Sequence, residues 1–329
     1  MYITNLMHHY IPLNGYIQIY FQYSSFHIPA FVAVMQLNHE IIATEYYITE
    51  SYFTYWSITM EYWVSVEPDV NIYVQDVNPA GKKTILFIHG WPLNHKAYEY
   101  QFDQLSQMGY RCIGMDTRGF GNSDKPIGGY DYDRLADDVR CVIDEFNLKD
   151  ITLGGHSMGG AIAIRYMARH NGHGVSKLAL FGAAAPSLTR RPDFSYGLPK
   201  EAVTKLIEET YNDRPKMLRD FGDMFLFQYA TQPLSDWFFQ LGLEAAGWST
   251  ASCAVTFRDE NLFADLGKIK VPTLILHGIH DKVCLFELAI VQNKGIANSK
   301  LIPLEYSGHG LFYEERDRFN MELSLFIES

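Results

Sequence analysis

A serine set between two glycines, Gly155-His156-Ser157-Met158-Gly159, follows the apolar run at residues 151–153 and leads into the apolar stretch at residues 161–168. Between a buried strand and a helix, this pattern is a nucleophile elbow. The chain turns so sharply at the serine that side chains two positions to either side would collide, and only glycine fits there. The five-residue pattern alone arises by chance in Gly-rich loops; the strand before it and the helix after it make it specific. A strand feeding a helix at its carboxyl end is also the building unit of a parallel sheet, so the motif commits its surroundings to α/β layering.

The rest of the chain from residue 62 onward repeats that alternation. Residues 63–66 and 71–74, separated by Glu67, Pro68 and Asp69, read as an opening hairpin. Short β-branched or apolar runs at 84–88, 112–115, 151–153, 178–181, 273–276 and 301–304 read as buried strands. Between strands, residues 132–146 place Leu135, Val139, Val142, Ile143 and Phe146 on one helical stripe, away from Asp137, Asp138, Arg140 and Asp144. The expectation is a mostly parallel sheet covered by helices. Residues 186–265 break the pattern: they contain Pro192, Pro199, Pro215 and Pro233, two helical stretches and no convincing strand. They read as a helical cap inserted into a core made of residues 60–185 and 266–329.

A serine hydroxyl needs a base to take its proton, and the base needs an orienting acid, expected here in the order serine, acid, histidine. The run 273–276 leads into His277-Gly278-Ile279-His280-Asp281, and the last run leads into Ser307-Gly308-His309-Gly310. Both segments are loops at carboxyl ends of parallel strands, where catalytic groups gather. Ser157, Asp281 and His309 are therefore the candidate catalytic residues; His280, Glu305 and Asp265 are the rivals in less suitable places. The developing oxyanion calls for two backbone N–H donors, one from the residue after the serine, Met158, and one from the loop after residues 84–88. In His89-Gly90-Trp91-Pro92, Pro92 has no N–H, which leaves Trp91, with His89 expected to brace the loop. The glycines of residues 116–123 lack the P-loop pattern and read as a structural turn.

These residues together resemble the α/β-hydrolase family, and within it the branch of cofactor-free haloperoxidases, arylesterases and perhydrolases. The resemblance runs from about residue 84 to the end, through His89-Gly90-Trp91-Pro92, residues 116–123, residues 155–160, Asp265-Leu266, Ile269-Lys270-Val271-Pro272 and Gly308-His309-Gly310. It implies an α/β-hydrolase fold, a Ser157-Asp281-His309 triad with Trp91 and Met158 as oxyanion donors, and neither metal nor cofactor. Members of that branch usually carry proline after the acid loop, where this chain has Val283-Cys284. The departure turns the expectation from peroxide chemistry toward ester hydrolysis.

Aromatic rings crowd the insertion, and Phe225, Trp237 and Phe238 are the candidate substrate contacts, suited to an uncharged, hydrophobic ester or lactone of small to medium size. A rival from another class is a small-molecule sensor that uses the same pocket to signal to a protein partner. The formal net charge of -11, with 27 basic against 38 acidic residues, argues against nucleic acid as a partner. No apolar run suggests a membrane span, and the four scattered cysteines show neither a disulfide framework nor a zinc spacing, so a reducing cytoplasm is the expected compartment. Assembly into a homo-oligomer is left open. Residues 1–59 stand apart: they hold no Lys, Arg or Asp and only Glu40, Glu45 and Glu50 as acids, and they read as an atypical extension without an assignable fold.

Overall fold

Strands that are apolar along their whole length need cover on both faces, and that requirement organises the structure, a computed structural model describing residues 17–21, 30–37, 40–47 and 59–329. The chain divides into two compact units, Met1–Trp56 and Ser57–Ser329. In the first, β1 (Ile17–Phe21), β2 (Ala30–Leu37) and β3 (Glu40–Tyr47) form an antiparallel sheet in that order, with Ile17 opposite Met35 and Ala30 opposite Tyr47. Their β-branched and aromatic runs favour strands, yet carry no clean polar alternation from which a pattern could be read. The rest of residues 1–58 lies outside the described residues.

The second unit opens with the hairpin β4 (Thr59–Glu67) and β5 (Val70–Val77), turned at Asp69 with φ 64°. It continues through β6 (Thr84–Ile88), a 3-10 turn His95–Tyr98, α1 (Glu99–Gln107), β7 (Arg111–Met115), α2 (Tyr132–Glu145), β8 (Ile151–His156), α3 (Met158–Arg169) and β9 (Val175–Phe181). The sequence-expected helix at 132–146 is α2, started by Asp131, whose side chain accepts from the Arg134 N–H; its stripe of Leu135, Val139, Val142 and Ile143 is buried. The cap follows as α4 (Lys200–Gly222), α5 (Gln232–Leu243), α6 (Gly247–Asp259) and the short α7 (Phe263–Leu266). Then come β10 (Thr273–Gly278), α8 (Phe286–Gly295), β11 (Ser299–Leu304), α9 (Leu311–Glu314) and α10 (Arg316–Glu328).

The eight strands of this unit lie in the order β11-β10-β9-β8-β6-β7-β5-β4. β6 to β11 run parallel, and β5 joins β7 antiparallel. This is the expected α/β architecture, with Leu86, Ile113, Leu153, Leu180 and Ile275 fully buried along the middle of the sheet. The chain leaves β6 toward β7 on one side and returns as β8 on the other. The order thus reverses between β6 and β8, where Ile88 sits opposite Gly155. At such a switch point the loops leaving two neighbouring strands diverge and open a crevice.

The cap differs from the expected two helical stretches, because it has more helices and its first is broken. Asp213 has non-helical φ −155°, ψ 76°, and its carboxylate accepts from the Lys216 N–H. Asp213 therefore caps a new helical segment, whose first turn accommodates Pro215 without losing an internal hydrogen bond.

Candidate active site

The elbow forms for the steric reason its glycines suggest. A Cβ on Gly155 would stand 2.4 Å from the Gly159 carbonyl oxygen, and one on Gly159 would stand 2.3 Å from that of Ile88. Between them Ser157 has φ 53° and ψ −119°, held by its own N–H donating to the Phe181 carbonyl at 3.0 Å. A non-glycine residue in this region costs on the order of 1–3 kcal/mol, which the strand and helix on either side must offset.

His309 and Asp281 meet across the ends of β10 and β11, where Gly278 is paired with Leu304. His309 Nδ1 lies 2.7 Å from Asp281 Oδ2, and both side chains are fully buried. The other Asp281 oxygen accepts from the Val283 and Cys284 N–H groups, each at 2.8 Å. With Nδ1 engaged, His309 Nε2 is the free edge of the ring, buried and without a hydrogen-bond partner among the described residues. The Ser157 hydroxyl rests 3.9 Å from the Cys284 thiol, a weak contact that costs little to give up.

Trp91 and Met158 join Ser157 in lining one small cavity. Among the described residues neither backbone N–H has an acceptor. The loop carrying Trp91 is braced by His89: the Thr117 N–H donates to its Nε2 at 3.0 Å, so the proton sits on Nδ1, which donates to the Gly90 carbonyl at 3.0 Å. Burial lowers the His89 pKa and keeps the ring neutral in this role. Gly90 approaches the elbow so closely that a Cβ would stand 2.9 Å from that of Ser157.

The rivals lie elsewhere. His280 is exposed and stacked on Phe227 at 3.6 Å, Glu305 faces Arg318, and Asp265 pairs with Arg165 and Lys268. The three expected substrate contacts separate. Phe225 meets the His309 ring edge-on at 5.3 Å and, with Phe238, lines a neighbouring pocket of about 250 Å³. Trp237 packs on Phe238 at 4.8 Å and lines neither space. The cavity at Ser157 is walled instead by Phe221, Phe257, Val203, Leu206, Leu198 and Val283, among others. Val203 and Leu206 come from the segment of α4 before the break at Asp213 and Phe221 from the segment after it, so neither one helical stripe nor an aromatic count would have singled them out together. The cavity holds only about 20 Å³, room for about one water molecule. Phe221 stands in the walls of both spaces.

Among the described residues, no cluster of three His, Cys, Asp or Glu side chains is placed to hold a metal, and no helix is long and apolar enough to cross a membrane.

Comparison with known proteins adds the relatives. A family model described as alpha/beta hydrolase fold matches residues 83–316. The AB hydrolase superfamily protein YisY of Bacillus subtilis is 46% identical over 270 residues, covering 82% of this chain and 100% of its own. The bifunctional esterase/perhydrolase DCH of Acinetobacter calcoaceticus is 30% identical, covering 81% of this chain and 99% of its own. Among solved structures, the esterase EaEST from Exiguobacterium antarcticum superposes with a TM-score of 0.80 at 43% identity, covering 82% of this chain and all of the other.

Proposed function

The chain belongs to the α/β-hydrolase fold family and is a hydrolase, and from that premise we propose that it cleaves small to medium, uncharged, hydrophobic carboxylic esters or lactones through an acyl-enzyme. Ser157 Oγ attacks the carbonyl carbon while His309 Nε2 takes its proton. The Trp91 and Met158 N–H groups hold the oxyanion, and the tetrahedral intermediate collapses as His309 returns the proton to the leaving alcohol. Water then repeats the sequence on the acyl group. Asp281 holds the imidazole in the required tautomer and stabilises its cation.

One observation carries this reading: the Asp281–His309 pair at 2.7 Å leaves Nε2 as the unpartnered edge of the ring. The ester class is supported by the apolar walls around Ser157 and by the esterase EaEST, whose chain matches over its full length. The cavity of about 20 Å³ favours a short acyl group beside Ser157, with movement of α4 needed for longer ones. Peroxide chemistry is the second reading, favoured by the likeness to the bifunctional esterase/perhydrolase DCH of Acinetobacter calcoaceticus. The four cysteines are all unpaired, which fits a reducing cytoplasm.

The test is hydrolysis of p-nitrophenyl esters across acyl lengths by the native chain and by Ser157→Ala. A loss of about a thousandfold or more in the folded variant is expected. Unchanged activity in the variant would remove Ser157 as the nucleophile.

A further inference from the structure

Three consecutive residues carry the loop on which His309 sits, and each has one backbone group held by a different partner. The Gly308 N–H donates to Glu314 Oε2 at 2.7 Å, and the Gly310 N–H donates to the Phe225 carbonyl of the cap at 2.9 Å. The His309 carbonyl lies 2.9 Å from Nε2 of His156, the residue immediately before Ser157. A carbonyl can only accept, so Nε2 of His156 carries the proton and donates it. This third bond joins the segment bearing the base to the segment bearing the nucleophile.

We propose that His156 is a positioning residue, whose Nε2–H locks the His309 backbone to the elbow and so sets the relation between base and nucleophile. The inference rests on the serine mechanism proposed above. The side chain is confined on every side that matters. Its ring centroid lies 4.5 Å from that of His309, 4.9 Å from Phe312 and 5.9 Å from Phe225. A Cβ on Gly90 would stand 2.5 Å from its Nδ1. Burial, and next the charge of His309, hold the basicity of His156 far below the ordinary histidine range, with His277 and His89 adding in the same direction. The ring therefore stays a neutral donor while His309 takes up the serine proton. A cation at His156 would instead set a second positive charge against the base. A displacement of about 1 Å between reacting groups costs about a hundredfold in rate, so one hydrogen bond that fixes this relation has a large effect on the chemical step and little on binding.

The test uses three substitutions in the full chain. His156→Leu keeps an apolar side chain and removes the donor; His156→Gln places an amide N–H near the position of Nε2; His156→Asn carries the same amide one carbon short of the His309 carbonyl. Two rates are measured from about pH 5 to 9: labelling of Ser157 by a fluorophosphonate, and kcat and KM for p-nitrophenyl acetate. In Leu and Asn, labelling and kcat should fall about tenfold or more, with KM within about twofold and the acid limb of the pH profile displaced, while Gln recovers most of the loss. A folded Leu or Asn variant with native rates and an unmoved pH profile would overturn the inference, as would Gln and Asn behaving alike. Should Leu fail to fold, the Gln and Asn comparison still decides. If the native chain is not labelled at Ser157, the serine mechanism fails and takes this inference with it; native labelling that survives in Asn sinks the inference alone.

Discussion

At Gly159 a single methyl group would meet the Ile88 carbonyl oxygen at 2.3 Å and that of His89 at 2.5 Å, both of them backbone atoms that cannot swing aside. Gly159→Ala is therefore expected to destabilise the protein by on the order of 2 kcal/mol or more and to cut hydrolase activity sharply, because the clash falls between the elbow and the loop carrying Trp91. Gly267→Ala is the control. A Cβ there meets nothing within 4 Å, so its melting temperature and activity should match those of the native chain. Equal behaviour of the two variants in thermal unfolding would refute the steric account. The same chemistry explains which residues could be read from sequence. Ser157, Asp281 and His309 stand at strand ends marked by short apolar runs, and Trp91, the expected donor because Pro92 has no N–H, lines one cavity with Ser157 and Met158. The walls of the cavity were not legible. Val203 and Leu206 lie before the break in α4 and Phe221 after it, so no single stripe marks them, and a stripe does not say which neighbour it faces. Trp237 and Phe238 were drawn toward the site by ring density, whereas the structure spends Trp237 on packing against Phe238.

At the scale of elements, the cap is stitched to the loop that carries His309. One oxygen of Glu314 accepts from the Phe227 and Gln228 N–H groups at 2.6 and 2.7 Å, and the other accepts from Gly308 at 2.7 Å. Burial raises the Glu314 pKa, and the three N–H donors pull against that shift. Glu314→Gln leaves one acceptor oxygen and turns an NH2 group toward at least one N–H, so a donor faces a donor in a part-buried site. The expected result is faster hydrogen exchange at the amides of Phe227, Gln228 and Gly308, together with a several-fold lower kcat. Exchange rates identical to those of the native chain would mean that Glu314 does not hold the cap in place. The existence of the elements was readable from residue patterns; their ends were not. β8 and β10 extend beyond the expected runs through Gly154-Gly155-His156 and His277-Gly278, residues without strand propensity that continue the strand because their backbone pairs with β9 and β11. The break in α4 was hidden for a similar reason: Pro215 marks a discontinuity, but capping by Asp213 turns it into a restart.

At the scale of the unit Ser57–Ser329, the site is held by histidines that must stay neutral. His89, His156 and His277 are each no more than 1% exposed, and burial is the largest influence lowering the pKa of all three. As the pH drops below the ordinary histidine value of 6.5, the unfolded chain takes up a proton at each of these positions and the folded chain does not. The folded state therefore loses stability as the pH falls below 6.5, and the loss continues until the lowered folded values are reached. Carboxylates act in a different window. Burial raises the Asp116 pKa, but the bonds and charge of His95, with the charge of His89, more than offset it and hold the carboxyl below the ordinary value of 3.8, so Asp116 contributes stability at neutral pH that is lost only as the pH falls through and below that value. A fall in melting temperature that begins near pH 6.5 therefore belongs to the histidines, and one that begins near pH 4 belongs to the carboxylates. The melting temperature of the full chain should decline steadily from pH 6.5 to 5, and His156→Gln, which keeps the donor and removes the titration, should reduce that slope. A melting temperature that stays flat down to pH 5 would show that these imidazoles are not held neutral, and with them would go the account of His89 and His156 as neutral donors bracing the two loops of the site.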